Sequence, residues 1–417
     1  MTKIANPSLP KDKIKILLLE GISDTAVSML AQRGYQNVER LTGALDEAEL
    51  KEKLSDVRIL GIRSRTQVTA SVLEATDRLV AVGCFSVGTN QIDLEAAQRR
   101  GVPVFNAPFS NTRSVAELTI AEIIMLYRRT FQRSQAAHIG RWEKSASQSH
   151  EIRGKTLGIV GYGNIGTQLS NLAEAMGMRV IYYDHTDKLR HGNVEPASSL
   201  SELLGTADVI SLHVPQTPET RGMIGRQQIE QMKDGAILIN NARGDLIDLD
   251  ALADALKSGR LAGAAVDVFP VEPPSNKDSF VSPLQGIENV ILTPHVGGST
   301  LEAQSRIGEE VARKLADYSD IGNTVGAVNF PEVLLPPRPI GTRFLQIQRN
   351  LPGELRRLNE VFSENEINIA GQYYQTKGDI GYVVLDTDSE MADAENVLKE
   401  IRALEGTIRA RIVHRIG

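Results

Sequence analysis

The stretch TLGIVGYGNIG, residues 156–166, decides the fold. TLGIV is a short apolar run and reads as a buried strand. GYGNIG follows without a spacer. After it Ile165, Leu169, Leu172 and Met176 recur at helical spacing, which predicts a helix with one apolar face. A strand that turns on glycine into a helix opens a βαβ unit. Gly161 allows the tight turn, Gly163 lets the backbone approach a pyrophosphate, and Gly166 lets helix and strand pack closely. The helix start offers unpaired N–H groups to an anion. The next strand, RVIYYD (179–184), ends on Asp184. A carboxylate there accepts hydrogen bonds from ribose hydroxyls and repels a 2′-phosphate, so NAD is expected rather than NADP. Lys188 and Arg190 are the nearby cations that argue the other way.

The same rhythm continues on both sides. Downstream, DVISLHV (208–214), AILINNA (236–242), AGAAVDVF (262–269) and NVILTP (289–294) read as further strands separated by polar helical segments. Upstream, IKILLLE (14–20), VRILGIRS (57–64), RLVAVGC (78–84) and VPVFNAP (102–108) form a first series, with TAVSMLAQRGY (25–35) as a helix. Alternating βα implies two parallel sheets. The helix SVAELTIAEIIMLYRR (114–129) is apolar around most of its circumference and is expected to be buried between domains. EAQSRIGEEVARKLADY (302–318) leaves the second series and is expected to pack back on the first. A proline-rich stretch, AVNFPEVLLPPRPIG (327–341), reads as a stiff extended linker. Beyond it TRFLQIQ, GELRRLNEVFSEN, INIAGQYYQT, GYVVLDT, ADAENVLKEIRAL and TIRARIVH give βαββαβ, a ferredoxin-like order.

Bulk properties narrow the classes. With 417 residues, 41% hydrophobic and 24% charged, the chain has room for two or three ordinary globular domains. A net charge of −6 without long basic runs argues against nucleic acid or membrane surfaces as partners. One cysteine, Cys84, excludes a disulfide framework within the chain and reads as a buried thiol. MTKIANPSLPKDK has no apolar signal core, and a cytoplasmic location is expected.

Three residues carry the chemistry. Arg243, Glu272 and His295 each stand just past a strand of the second series, the edge where open α/β sheets bind ligands. An alcohol oxidised by NAD loses a proton as the hydride leaves, and an imidazole suits that role. A carboxylate orients the ring, and a guanidinium clamps a substrate carboxylate in two bonds. His213, in SLHVP, is the rival base. No His/Cys/carboxylate spacing points to a metal.

The motifs GYGNIGTQL, SLHVPQTPET, NNARGDLID, AAVDVFPVEP and LTPHVGGST resemble those of the D-2-hydroxyacid dehydrogenase family. IRSRT (62–66), GCFSVGTNQIDL (83–94), NAPFSNTRSVAEL (106–118) and the tail resemble the bacterial forms that carry a C-terminal ACT domain. The resemblance implies two Rossmann-like doubly wound domains plus an ACT domain. It divides them as 1–110 with 299–336 for substrate, 111–298 for NAD, and 337–417 for regulation. It implies His295 as acid/base, Glu272 assisting it and Arg243 binding substrate. NAD contacts fall, besides the glycines, on Asn164, Ile165, Asp184, Asn241, Ala242, Asp267, Val296, Gly297 and Gly298, with Arg243 and His295 also beside the cofactor. Substrate contacts fall on Arg63, Ser64, Asn111 and Gln304. The implied reaction oxidises 3-phospho-D-glycerate to 3-phosphohydroxypyruvate, opening serine synthesis, with 2-oxoglutarate reduction as a second activity. Arg63, Arg65 and Arg113 are candidate cations for the phosphate. Trp142 matches a subunit contact, and a homotetramer is expected. In serine-inhibited relatives a His and two Asn hold the effector at a pairing interface of tails. Asn350 and Asn368 match the Asn positions, but Gln348 replaces the His, so weak inhibition is expected. The competing readings are another 2-hydroxyacid dehydrogenase, acting on glycerate or hydroxypyruvate, and an NAD-sensing protein without turnover.

Overall fold

The computed structural model describes residues 9–273, 277–336, 341–388 and 393–413. The N-terminal residues 1–8, the end of the proline-rich stretch (337–340), Ala392 at the head of the last expected helix and His414 at the end of the last expected strand lie outside the described residues. The chain divides into two compact units, 1–110 with 304–417, and 111–303.

The first unit opens with β1 (Ile16–Leu18), α1 (Asp24–Gln32), β2 (Val38–Arg40), α2 (Glu47–Lys53) and β3 (Ile59–Ile62). It continues with α3 (Ala70–Glu74), β4 (Ala81–Cys84), α4 (Leu94–Arg99) and β5 (Val104–Phe105). Local chemistry starts the helices: Ser23 accepts from the Thr25 N–H, and Asp46 and Glu49 close a reciprocal capping box. The strands are all parallel in the order β2-β1-β3-β4-β5, a doubly wound sheet. The edge strand β2 escapes the sequence pattern because its residues, VER, are polar or half-buried.

The second unit carries α5 (Thr112–Arg128), α6 (Thr130–His138), β6 (Thr156–Val160), α7 (Asn164–Ala175), β7 (Arg179–Tyr183) and β8 (Glu195–Pro196). Then come α8 (Leu200–Thr206), β9 (Val209–Leu212), α9 (Arg226–Gln231), β10 (Ala236–Asn240), α10 (Leu249–Lys257), β11 (Leu261–Val266) and β12 (Val290–Leu292). Its seven strands are parallel in the order β12-β11-β10-β9-β6-β7-β8. The order reverses between β6 and β9, so the glycine loop after β6 sits at the switch point. Two expectations need correction here. α5 has one buried face, through Val115, Thr119, Ile123 and Leu126, while Arg113, Glu117, Ala121 and Arg128 are exposed. On α7 the buried stripe is Gly166, Leu169, Ser170 and Ala173, and Met176 is exposed, because small residues let the helix sit close to the sheet.

α11 (Leu301–Ile321) returns to the first unit. A Cβ added at Gly83 of β4 would lie 2.7–2.8 Å from Leu315 and Val311, so the helix lies directly on that strand. The tail then forms β13 (Arg343–Arg349), α12 (Glu354–Glu364), β14 (Ile369–Lys377), β15 (Ile380–Thr387), α13 (Ala394–Ala403) and β16 (Thr407–Val413). Its antiparallel order is β14-β15-β13-β16. One face of this sheet is covered by its own helices through Phe344, Leu358, Phe362 and Leu398. The other, through Leu345, Ile347, Tyr382 and Val384, shares a core with Tyr318 and Phe330. Burying each such side chain contributes ~1.5–3 kcal/mol, enough to fasten the tail to the first unit. Arg343 is fully buried opposite Asp386, both bonds at 2.6 Å. The described part of the proline-rich stretch is not a free linker but is docked on the first unit. Phe330, Val333 and Leu335 are buried in that core, and Val333 exchanges bonds with Thr324. Alternate residues of the stretch are buried, so it docks on that core along its length.

Candidate active site

Because the strands of the second unit are parallel, Val160, Leu212, Asn240, Val266 and Leu292 all end at one edge. The loops that follow hold the predicted nucleotide and catalytic residues.

Gly161 has φ 95°, a conformation that favours glycine. A Cβ at Gly166 would stand 2.5 Å from the Gly161 carbonyl oxygen, so a larger residue would push α7 off the loop. A Cβ at Gly163 would meet nothing within 4 Å, which leaves open space above the backbone where a pyrophosphate is expected. α7 begins there with no side-chain cap, and Asn164 and Ile165 form its first turn. Its N–H groups and open approach fit a phosphate anion. Asp184 accepts from the Tyr162 N–H at 2.9 Å and from Thr186 N–H and Oγ1 at 3.1 Å. Burial raises its pKa, but these bonds prevail and hold the carboxyl below its ordinary value. The anion thus ties the glycine loop to the end of β7. Lys188 Nζ lies 3.7 Å from it.

The catalytic candidates meet on neighbouring loops. His295 Nδ1 lies 2.9 and 3.1 Å from the Glu272 carboxylate oxygens. Glu272 is fixed by the Phe269 N–H at 3.1 Å. Arg243 is held by its own turn, where Asn240 accepts from Ala242 N–H and donates to the Arg243 carbonyl at 2.9 Å. A methyl group at Gly244 would collide with the Phe269 carbonyl, so the loops of Arg243 and Glu272 are pressed together. Charge follows geometry. The Glu272 bond raises the His295 pKa against burial. Burial pushes Glu272 up, but the His295 bond and charge, the Phe269 N–H and the Arg243 charge together outweigh it, and the carboxyl lies below its usual value. Burial lowers Arg243, and Glu272 partly offsets this.

Buried Asp267 braces the loop beyond β12. Its carboxylate accepts from Thr293 Oγ1 at 2.6 Å and from the Val296 and Gly297 N–H groups at 2.8 Å. His295 stands between them with φ 55°, a left-handed strain of ~1–3 kcal/mol that the braced loop imposes. Asn241 turns its amide inwards, donating to Glu122 Oε2 at 2.7 Å and to Thr119 Oγ1 at 3.0 Å. Burial pushes the Glu122 carboxyl up to about 8. Glu122 and Asn240 were missed by sequence reasoning. The only available signal for Glu122 was a lone carboxylate on the apolar side of a helix.

His213 is not brought into this group. Its Nε2 lies 2.8 Å from Ser211 Oγ, and burial pushes its pKa down to about 4. Its backbone packs against Gly161. Asn111 precedes α5, and a Cβ at Gly298 would lie 2.6 Å from its Nδ2. Arg113 is already paired with Glu117 at 2.6 Å. Arg63, Ser64 and Gln304 belong to the first unit. In the tail Gln348 is buried, with neither amide atom hydrogen-bonded. Asn350 donates to the Gly378 carbonyl and Asn368 to Asp388.

Comparison with known proteins assigns the chain to a family. Residues 120–297 match the family model described as D-isomer specific 2-hydroxyacid dehydrogenase, NAD binding domain, and residues 344–409 match an AHAS small subunit-like ACT domain. The chain is 54% identical to D-3-phosphoglycerate dehydrogenase of Haemophilus influenzae, over 98% of this chain and 99% of that one. It is 53% identical to the Escherichia coli K12 protein of the same name, over 99% and 100%. Among solved structures, D-lactate dehydrogenase from Aquifex aeolicus, complexed with NAD and lactic acid, superposes with a TM-score of 0.63 at 29% identity. It covers 73% of this chain and 95% of that one. The cofactor is NAD, the chain is an oxidoreductase, and it belongs to the D-3-phosphoglycerate dehydrogenases of the D-2-hydroxyacid dehydrogenase family.

Proposed function

We propose that the chain oxidises 3-phospho-D-glycerate to 3-phosphohydroxypyruvate, the opening step of serine synthesis, and reduces 2-oxoglutarate as a second activity. The observation that carries this is the His295–Glu272 pair beside Arg243 at the nucleotide edge. Glu272 accepts from Nδ1, so Nε2 is the nitrogen that takes the hydroxyl proton. Glu272 then stabilises the imidazolium. Arg243 holds the substrate carboxylate and so fixes the C2–H bond, while Arg63, Ser64, Asn111 and Gln304 bind the rest of the substrate. When bound, NAD⁺ accepts the hydride from C2. Asp267 and Asp184 position the loops that hold it.

The division of labour is 1–110 with 299–336 for substrate, 111–298 for NAD and 337–417 for regulation. The assembly is a cytoplasmic homotetramer. Its support includes Trp142, 86% exposed, and the described residues include no helix long and apolar enough to cross a membrane. L-serine binds weakly between two tails. Asn350 lies beside the turn that ends β14, while Asn368 precedes that strand. Nine residues at ~3.3 Å each place them on the order of 30 Å apart, too far for one small ligand within one tail. Two copies are needed to bring both amides to it.

The test follows NADH absorbance with phosphorylated and unphosphorylated 2-hydroxy and 2-oxo acids. Turnover of 3-phosphoglycerate well above D-glycerate supports the reading. A preference for an unphosphorylated acid would point to another dehydrogenase, and NADH binding without turnover to a sensor.

A further inference from the structure

Glu20 ends the apolar run of β1, yet its side chain is buried. Its carboxylate collects four successive backbone N–H groups: Arg63 at 3.2 Å, Ser64 at 3.1 Å, Arg65 at 3.0 Å and Thr66 at 2.9 Å. Successive N–H groups converging on one point form an anion cradle of the kind that elsewhere binds phosphate. Here the chain fills the cradle itself. Burial raises the Glu20 pKa, but the N–H bonds outweigh it and the group stays below the ordinary carboxylate value, an anion at neutral pH. Glu20 adopts φ 60°, an unusual conformation for a residue with a side chain, which aims it into the loop. The loop is gripped from the other side by Gln91, whose amide donates to the Arg63 carbonyl and to Cys84 Sγ.

We propose that Glu20 is a positioning residue that sets the 63–66 loop for an anionic substrate. This rests on the reading that Arg63 and Ser64 bind substrate. With the backbone donors occupied, the loop has guanidinium side chains left to offer a substrate anion. The Glu20 charge also offsets the repulsion of two arginines two positions apart: Arg65 Nε lies 3.7 Å from it, and Glu20 supports the charged form of partly buried Arg63. The cradle therefore acts on binding, not on proton transfer.

The test uses full-length Glu20→Gln and Glu20→Gly. Glu20→Gln keeps the shape but puts an NH₂ group against N–H donors. Its KM for 3-phosphoglycerate should rise at least ~10-fold with kcat within about threefold and NADH affinity unchanged. Glu20→Gly removes the carboxylate and relieves the left-handed strain, leaving the cradle open. Sodium formate should then lower its KM several-fold and raise its thermal midpoint saturably, against sodium chloride controls, with neither effect in wild type or Glu20→Gln. A normal KM in Glu20→Gln, or the absence of any formate effect on Glu20→Gly, overturns the proposal. The formate-dependent midpoint needs no substrate. A wild type inactive on 3-phosphoglycerate would thus fail the reaction assignment while the occupied cradle is still scored.

Discussion

Glu272 Oε2 lies 2.9 Å from His295 Nδ1, and that bond raises the imidazole pKa. Oxidation needs the neutral ring, so kcat/KM should rise with pH through this raised pKa. Glu272→Gln removes the anion, lowers the pKa and moves the acid limb to lower pH. It should also cost ~10–100-fold in kcat, because the imidazolium loses its counter-charge. His295→Asn should cost ~10²–10⁴ with NADH binding intact. pH–rate profiles and NADH fluorescence titrations check both. An unshifted limb in Glu272→Gln would remove its electrostatic role.

Asp184 holds the glycine loop through Tyr162 N–H, and in the proposed reading it also accepts from the ribose hydroxyls. Asp184→Ala should therefore raise KM for NAD about 10-fold and relax the preference against NADP at the same time. Steady-state kinetics with both cofactors decide. A wild type that already prefers NADPH would contradict the assignment.

Glu122 makes stability depend on pH. Its folded-state pKa is about 8 against an ordinary 4.5. Between those values the folded chain holds a proton that the unfolded chain has lost, so stability present at low pH declines as pH rises. Glu122→Gln stays neutral throughout and should abolish the decline, adding ~1–3 kcal/mol at pH 8. Thermal midpoints from pH 5.5 to 8.5 test this. Parallel curves for wild type and variant would mean that Glu122 is ionised in place.

The tail predicts weak serine inhibition, because the buried Gln348 amide cannot become cationic. Gln348→His should strengthen inhibition several-fold, about 1 kcal/mol. Inhibition curves for both forms and for a chain ending at Pro336 separate sensing from assembly. No response in any of them would leave the tail structural.

What was legible in the sequence was local. The glycine loop joins a strand to the helix that follows it, so its chemistry lies within eleven consecutive residues. Periodicity likewise marked most strands, both parallel series and the antiparallel tail. The candidate trio stood out as residues past strand ends, and the roles proposed for them came from family resemblance. The contacts themselves depend on strand order: Glu272 and His295 are 23 residues apart, and β11 pairs with β12 to bring them together. Glu20 looked like the polar end of an apolar run. It became a loop anchor because β1 pairs with β3, which places it beside residues 43–46 positions away. Glu122 reaches Asn241 across 119 residues for the same kind of reason. Side-chain pattern records which face of an element is buried. It does not record which distant backbone N–H groups will meet a buried carboxylate, because that is set by the pairing and stacking of elements after the apolar faces have found one another.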